Sequence, residues 1–151
     1  MEEVPPQIKT ILMEAKFAYL CSAFDGLEPH VVPMFFFYDM NNNKIFLLSS
    51  HRSKKVEILE SNSSVSLTVD VRNQVNPFLN YGVMIQGTAI ILDIEKYREI
   101  VEKLVNKYPK FVQMEKLETR LLYTPQDVVI KVKPELMVYW RGANFTRWKA
   151  S

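Results

Sequence analysis

The chain has 151 residues, of which 48% are hydrophobic and 24% are charged. These are ordinary values for a folded protein and argue against intrinsic disorder, and the length predicts a single domain over residues 1–151. The 19 basic and 17 acidic residues leave a net charge of +2. This balance argues against a protein that coats nucleic acid, for which a strong positive excess is expected.

The single cysteine and the N-terminal sequence predict a cytoplasmic protein. Cys21 has no partner for an internal disulfide, and its apolar surroundings favour a small core residue over a reactive thiol. The first six residues are acidic and contain two prolines, unlike the basic and then apolar pattern of a secretory signal peptide. The sequence contains no run of 18 apolar residues, so no transmembrane helix is predicted.

The predicted elements alternate little between strand and helix. A first helix is indicated by prolines at its start and by apolar residues at helical spacing, and Asp25-Gly26 predicts a hairpin turn between the first two strands. The predicted helices cover residues 6–15, a short stretch from the N-cap Ser53 to about Ser61, and 94–108, with a further turn or two within 111–121. The predicted strands cover residues 17–24, 30–38, 44–48, 64–71, 83–92, 128–132 and 136–140.

This order predicts a mainly β protein, a β-barrel with peripheral helices. Because neighbouring strands are not joined by crossover helices, a Rossmann fold is disfavoured, and a closed or partly closed antiparallel barrel accommodates the many short strands. Gly87 is a candidate bulge in the long fifth strand. Both faces of the second strand are apolar, which indicates a core or interface position, and Pro33 predicts a bulge or a break in its pairing.

The densest polar segment runs from Ser49 to Lys55 and opens the short helix. Hydroxyl groups, free backbone N–H groups of the first helical turn and several cations converge there, which suits an anion and above all a phosphate monoester. A solvated basic helix start is the alternative interpretation. The histidines, His30 and His51, have no metal-ligand spacing, and no motif of a catalytic triad is present.

The C-terminal segment is rich in tryptophan and arginine, with Trp140, Arg141, Phe145, Arg147 and Trp148. Such a segment is typical of a docking surface. The candidates for the molecule bound there are a partner subunit, a cofactor and a nucleic acid.

The chain resembles the FMN-binding split-barrel family related to pyridoxamine 5′-phosphate oxidase. The resemblance rests on residues spread along most of the chain. They are Phe17-Ala18-Tyr19-Leu20, Asp25-Gly26, Pro29-His30-Val31-Val32-Pro33-Met34, Ile45-Phe46-Leu47-Leu48-Ser49, Ser53-Lys54-Lys55, Leu59, Val65-Ser66-Leu67-Thr68-Val69, Gln86-Gly87-Thr88-Ala89 and 128–140.

The resemblance implies a six-stranded antiparallel split barrel that forms a homodimer with FMN at the interface. It implies that Ser49, Ser53, Lys54 and Lys55 hold the FMN phosphate, with Ser50 and Arg52 beside them. The backbone of Val31, Val32 and Pro33 would line the flavin ring, and His30 stands where the oxidase usually has an arginine. Trp140 and Arg147 are similar to C-terminal residues that reach the flavin of the other subunit.

Two departures from the family pattern argue against oxidation of pyridoxamine phosphate. The lysine that holds the substrate in the oxidase is replaced by Phe35, and its Arg-x-His by Ala143-Asn144-Phe145. The resemblance therefore predicts a flavin-dependent oxidoreductase, using FMN or the deazaflavin F420, that acts on an apolar or conjugated small molecule.

Two other classes of function stay open at this point. A flavin or haem binding or sensor protein would bind a cofactor without turnover, with His30 and His51 as the candidate haem ligands. Nucleic-acid binding through the basic C-terminal segment is disfavoured by the balanced net charge. We accordingly expect neither a nucleic-acid nor a membrane partner.

Overall fold

The computed structural model describes residues 2–24, 26, 28–108 and 127–151. The helices are α1 (Pro6–Glu14), α2 (Lys54–Ser61) and α3 (Arg98–Lys107), and short 3₁₀ turns lie at Pro77–Leu79 and Ile94–Tyr97. The strands are β1 (Ala18–Ala23), β2 (Pro29–Met34), β3 (Phe36–Asp39), β4 (Lys44–Ser50), β5 (Ser64–Val71), β6 (Tyr81–Asp93), β7 (Asp127–Arg141) and β8 (Asn144–Lys149). In this part of the chain no helix is both long and apolar enough to span a membrane.

The strands form one curled antiparallel sheet, which confirms the predicted mainly β split-barrel architecture. The sheet order is β2-β1-β5-β6-β7-β4-β3, with β8 paired to β7. The first and last strands of this order, β2 and β3, are consecutive in the chain and are separated only by Phe35. One bent segment therefore supplies both edges of the sheet and brings the two edges to the same place.

The sheet has eight strands in the described residues, rather than the six that the resemblance implies, because one predicted strand divides and the C-terminal segment forms an additional one. The predicted second strand breaks at Phe35 into β2 and β3, and the C-terminal segment adds β8. The two predicted closing strands, in contrast, join into the single strand β7. A register shift opposite Gln86 and Gly87 lets β7 continue past Pro134, so the irregularity predicted at Gly87 is present.

Pro33 lies in register opposite Tyr19 of β1 rather than at a bulge. β2 is an edge strand, so the missing N–H of a proline can face the unpaired side without loss of a ladder hydrogen bond. Because β2 lies at the edge of the sheet, Val31 is 65% exposed. The outer face of β2 is therefore an exposed apolar surface.

The main core lies inside the curl of the sheet. Alternate residues of each strand point inward, and Leu20, Phe36 and Tyr38 are almost completely buried. α1 covers this core with Ile8 and Ile11, and each such buried side chain contributes roughly 1.5–3 kcal/mol. Other inward-pointing residues include Leu47, Leu67, Val83, Ile85, Ile130 and Met137.

A second, smaller core lies on the outer face of the sheet beneath α3. Val101 and Val105 of this helix pack on Phe46 of β4 and Val129 of β7. The helix predicted over residues 94–108 begins as the 3₁₀ turn at Ile94 and becomes α-helical at Arg98. The further helical turns predicted within 111–121 and residue Asp25 of the predicted turn lie outside the described residues.

Candidate functional site

An open cleft of about 390 Å³ lies where the chain bends between β2 and β3. Its walls come from the β2–β3 bend, the end of β4, the first turn of α2, the end of α3 and the start of β7. A volume of this size is within the range of small-molecule and cofactor sites. The residues that line it are Val32, Pro33, Met34, Phe35, Leu48, Ser49, Ser50, Lys55, Leu104, Val105, Tyr108 and Asp127.

Serine hydroxyl groups and one lysine form a polar part of the cleft lining. The Oγ atoms of Ser49 and Ser53 are 2.9 Å apart, and Ser49 is only 6% exposed. The Oγ of Ser50 accepts a hydrogen bond of 3.3 Å from the backbone N–H of Arg52. Three hydroxyl groups thus lie at the junction of β4 and α2, where first-turn N–H groups are also available to an anion.

Ser53 precedes α2 as predicted, but its side chain does not cap the helix. Its backbone carbonyl accepts from the N–H groups of Val56 and Glu57, at 3.1 and 3.2 Å, while its hydroxyl turns to Ser49. Because the hydroxyl leaves the helix end, the backbone N–H groups of Lys54 and Lys55 keep their capacity to bind another acceptor.

The two neighbouring lysines of α2 have different surroundings. Lys55 lines the cleft, is half-buried, and has its pKa lowered from 10.5 by burial. Among the described residues it forms no ion pair. Lys54 is exposed, pairs with Glu57 at 3.3 Å, and lies 4.8 Å from the ring centroid of Phe24. Lys55 is therefore the cation that the fold directs into the cleft.

Another part of the cleft lining is apolar and aromatic. The rings of Phe35 and Tyr108 meet edge to face, with centroids 4.8 Å apart, and the Phe17 ring lies 5.3 Å from that of Phe35. The Tyr108 hydroxyl accepts from the backbone N–H of Phe36 at 3.1 Å and donates to the carbonyl of Lys16 at 2.8 Å. These bonds fix the Tyr108 ring against the bend.

The fold brings together five of the residues predicted for the cofactor, from two separate segments. Val32 and Pro33 of β2 line the same cleft as Ser49, Ser50 and Lys55. Ser53 contacts this group through Ser49.

The other predicted residues do not line the cleft of this chain. They are His30, Val31, Arg52, Lys54, Trp140 and Arg147. Trp140 lies opposite Gly82 and Phe145, and the exposed Arg147 lies opposite Val138. The role predicted for Trp140 and Arg147 in the site of a second subunit stays a prediction.

Several cleft residues were not predicted from the sequence. Leu104 and Tyr108 belong to the predicted apolar stripe of the helix, but nothing in the stripe indicated what it would face. Asp127 introduces a carboxylate at the start of β7, opposite Ser50. Within residues 2–24, 26, 28–108 and 127–151, no three potential ligands are grouped to hold a metal ion.

A curled antiparallel sheet, with a cleft where one bent segment joins its two edges, defines a protein of the split-barrel class. A sequence profile of the pyridoxamine 5′-phosphate oxidase family matches residues 4–141, and the chain therefore belongs to this family. No curated protein matches the chain.

Solved structures of known proteins share this fold at low sequence identity. The general stress protein 26 from Bacillus anthracis is 20% identical with a TM-score of 0.66, over 94% of this chain and 96% of that protein. An F420 reductase is 18% identical with a TM-score of 0.67, over 89% and 98%. The haem storage protein of Vibrio cholerae is 18% identical with a TM-score of 0.67, over 89% and 92%.

Proposed function

We propose that this protein binds a flavin phosphate, FMN or F420, in the cleft and acts as a flavin-dependent oxidoreductase on an apolar or conjugated small molecule. The observation that carries the proposal is that one cleft joins Ser49, Ser50 and Lys55 to an apolar aromatic wall. A ligand that carries both a phosphate and a flat conjugated ring matches both parts of this lining.

The donors in the polar part of the lining fit a phosphate monoester. Hydroxyl groups of Ser49, Ser50 and Ser53 and the ammonium group of Lys55 are all hydrogen-bond donors, and phosphate oxygens are acceptors. Lys55 is already partly desolvated, so an anion beside it would be attracted more strongly than at an exposed lysine. The carboxylate of Asp127 lines the same cleft and would repel the anion, which reduces the net attraction.

The apolar wall fits a conjugated ring and an apolar substrate. Phe35 and Tyr108 form a fixed edge-to-face pair there, and Leu104 and Val105 continue the surface. A bound flavin would supply hydride or electron transfer. The chain's own residues would bind the phosphate, orient the ring and exclude water. The apolar Phe35 also supports a substrate without a phosphate group.

The test compares FMN with riboflavin, which lacks the phosphate, in variants of the two neighbouring lysines. A flavin absorbance band retained by the purified protein after FMN is added and the excess removed would establish the cofactor. Lys55→Ala should weaken FMN binding by about 10- to 100-fold, the value of a hydrogen bond to a charged group, and leave riboflavin binding unchanged. Lys54→Ala is the matched control and should change FMN binding much less, since Lys54 is exposed and paired with Glu57.

Two results would overturn the phosphate site. One is equal affinity of the wild-type protein for FMN and riboflavin, and the other is an equal loss in the two lysine variants. The same titration with F420 decides between the two cofactors. Reduction of the bound flavin by NADH, NADPH or a reduced deazaflavin then tests turnover.

A cofactor-binding protein without turnover is the second candidate. It is favoured by the engagement of the Tyr108 hydroxyl with the backbone groups of Phe36 and Lys16, which occupies the one hydroxyl of the apolar wall. If the cofactor were haem, His30→Ala or His51→Ala should abolish its characteristic absorbance band. A bound FMN that no donor reduces would support a flavin carrier.

We further propose that the protein acts in the cytoplasm as a homodimer. The large exposed apolar side chains include Val31 on the outer face of β2, Phe78 and Phe145, at 65%, 88% and 70% exposure. Light scattering coupled to gel filtration measures the mass of the assembly. A monomer at micromolar concentration would contradict the dimer.

A further inference from the structure

Two polar atoms enclosed in the barrel have no hydrogen-bond partner in the described part of the chain. They are the Oγ of Ser22 and the Nδ1 of His30. Ser22 is only 2% exposed. Buried polar groups are nearly always paired because an unpaired one loses its interaction with water and gains nothing in exchange. Each of these atoms therefore calls for a partner.

The strand register places these two residues side by side. Ser22 of β1 lies directly opposite His30 of β2 in the antiparallel pair. Residues opposite each other in such a pair direct their side chains to the same face, with Cβ atoms about 4.5–5.5 Å apart. A change in the Ser22 side-chain rotamer, or one buried water, would connect Oγ to Nδ1.

Only one direction of this hydrogen bond satisfies the groups well. If Ser22 donates to Nδ1, its single proton is used and the ring proton resides on Nε2. If Nδ1–H donates instead, the serine proton is left buried without an acceptor, and orphaned donors are rarer in proteins than under-used acceptors. His30 is only partly buried, and its enclosed, unpartnered atom is Nδ1 rather than Nε2. A proton on Nε2 can therefore reach a ligand.

We propose that Ser22 is a positioning residue whose hydroxyl donates to Nδ1 of His30, directly or through one buried water, and thereby holds Nε2–H as an outward donor beside the cleft. Val32, two residues further along β2 on the same face, lines the cleft. The oxygen atoms of a phosphate-bearing ligand are the acceptors that this donor suits. This last step rests on the proposed function, whereas the Ser22–His30 connection does not.

Nitrogen-15 NMR of the imidazole in the ligand-free protein tests the connection. The wild type should show an unprotonated Nδ1 that accepts a hydrogen bond. Its resonance should move to that of a free acceptor nitrogen in Ser22→Ala and return in Ser22→Thr, which keeps the hydroxyl. Ser66→Ala, on the neighbouring strand β5, is the control and should leave the resonance unchanged. A protonated Nδ1 in the wild type, or the same resonance in wild type and Ser22→Ala, would overturn the proposal.

FMN affinity tests the role of the outward donor. Ser22→Ala and His30→Ala should each weaken FMN binding by about tenfold, the value of one hydrogen bond, and Ser22→Thr should restore it. If the wild type binds FMN and Ser22→Ala binds it equally well, the donor role is overturned even where the NMR connection holds. A wild type that does not bind FMN would overturn the proposed function and leave the NMR result to decide the connection.

Discussion

The hydroxyl groups of Ser49 and Ser53 lie 2.9 Å apart across the loop that joins β4 to α2. The contact is largely enclosed, since Ser49 is 6% exposed. It holds the first turn of α2 against the end of β4, which is the part of the fold that directs Lys55 into the cleft.

This contact should appear as a coupling between the two serines. Ser49→Ala and Ser53→Ala should each lower the free energy of unfolding by about 1 kcal/mol, and the double variant should cost little more than either single one because both remove the same bond. Urea denaturation of the four proteins measures the coupling. Strictly additive effects would show that the two hydroxyls do not depend on each other.

The free energy of unfolding should rise in mildly alkaline solution as the buried ammonium group of Lys107 loses its proton. Its ammonium group donates to the carbonyl of Phe36 at 3.1 Å, and burial lowers its pKa from 10.5 to about 8. Between these values the unfolded chain binds more protons at this site than the folded chain, so the free energy of unfolding rises with pH from about 8 towards 10.5.

The contribution of Lys107 is isolated by substitution. Lys107→Met should remove this rise, whereas Lys103→Met, on the exposed face of α3, should keep it. Tyr38 has the opposite effect, because burial raises its pKa from 10.0 to about 12 and stability is lost above pH 10. Urea denaturation at several pH values measures both trends. A wild-type curve parallel to that of Lys107→Met would contradict the assignment.

Gly87→Ala should destabilise the protein strongly. A Cβ atom at this position would collide with the backbone carbonyl of Lys133 and lie 3.1 Å from the Cα of Pro134, and backbone atoms cannot move aside cheaply. The expected loss is at least about 1–3 kcal/mol, as for an overpacked core. Thr88→Ala, at the next position of β6, is the control and should have a smaller effect in thermal unfolding. Equal melting temperatures of wild type and Gly87→Ala would show that the close approach of Lys133 does not require a glycine at this position.

Lys133→Gln should stabilise the protein by a few tenths of a kcal/mol, the usual value of relieving like charges across a strand pair. Burial, and then the positive charges of Lys133 and Lys131, lower the pKa of Lys44. The substitution should therefore also raise the Lys44 pKa towards its ordinary value. The gain should shrink in concentrated salt, which screens charges, and Lys149→Gln provides an exposed comparison. A loss of stability in Lys133→Gln would contradict this account.

Local sequence determined most of the elements of this protein. The spacing of Ile8, Ile11 and Leu12 specified α1, and the alternation from Val65 to Val71 specified β5. The cluster from Ser49 to Lys55 indicated an anion site because hydroxyl groups, cations and a helix start occur together within seven residues. Each of these signals depends on neighbours in sequence, so each could be read without the fold.

The cleft was decided by tertiary structure. Pro33 and Lys55 are distant in sequence, and only the bend at Phe35, which returns one segment to both edges of the sheet, places them around the same space. The sequence could not distinguish Lys54 from Lys55, since the difference lies in which way each side chain leaves α2. It also could not reveal the Ser22–His30 pair, because the register between strands depends on the packing of the whole sheet.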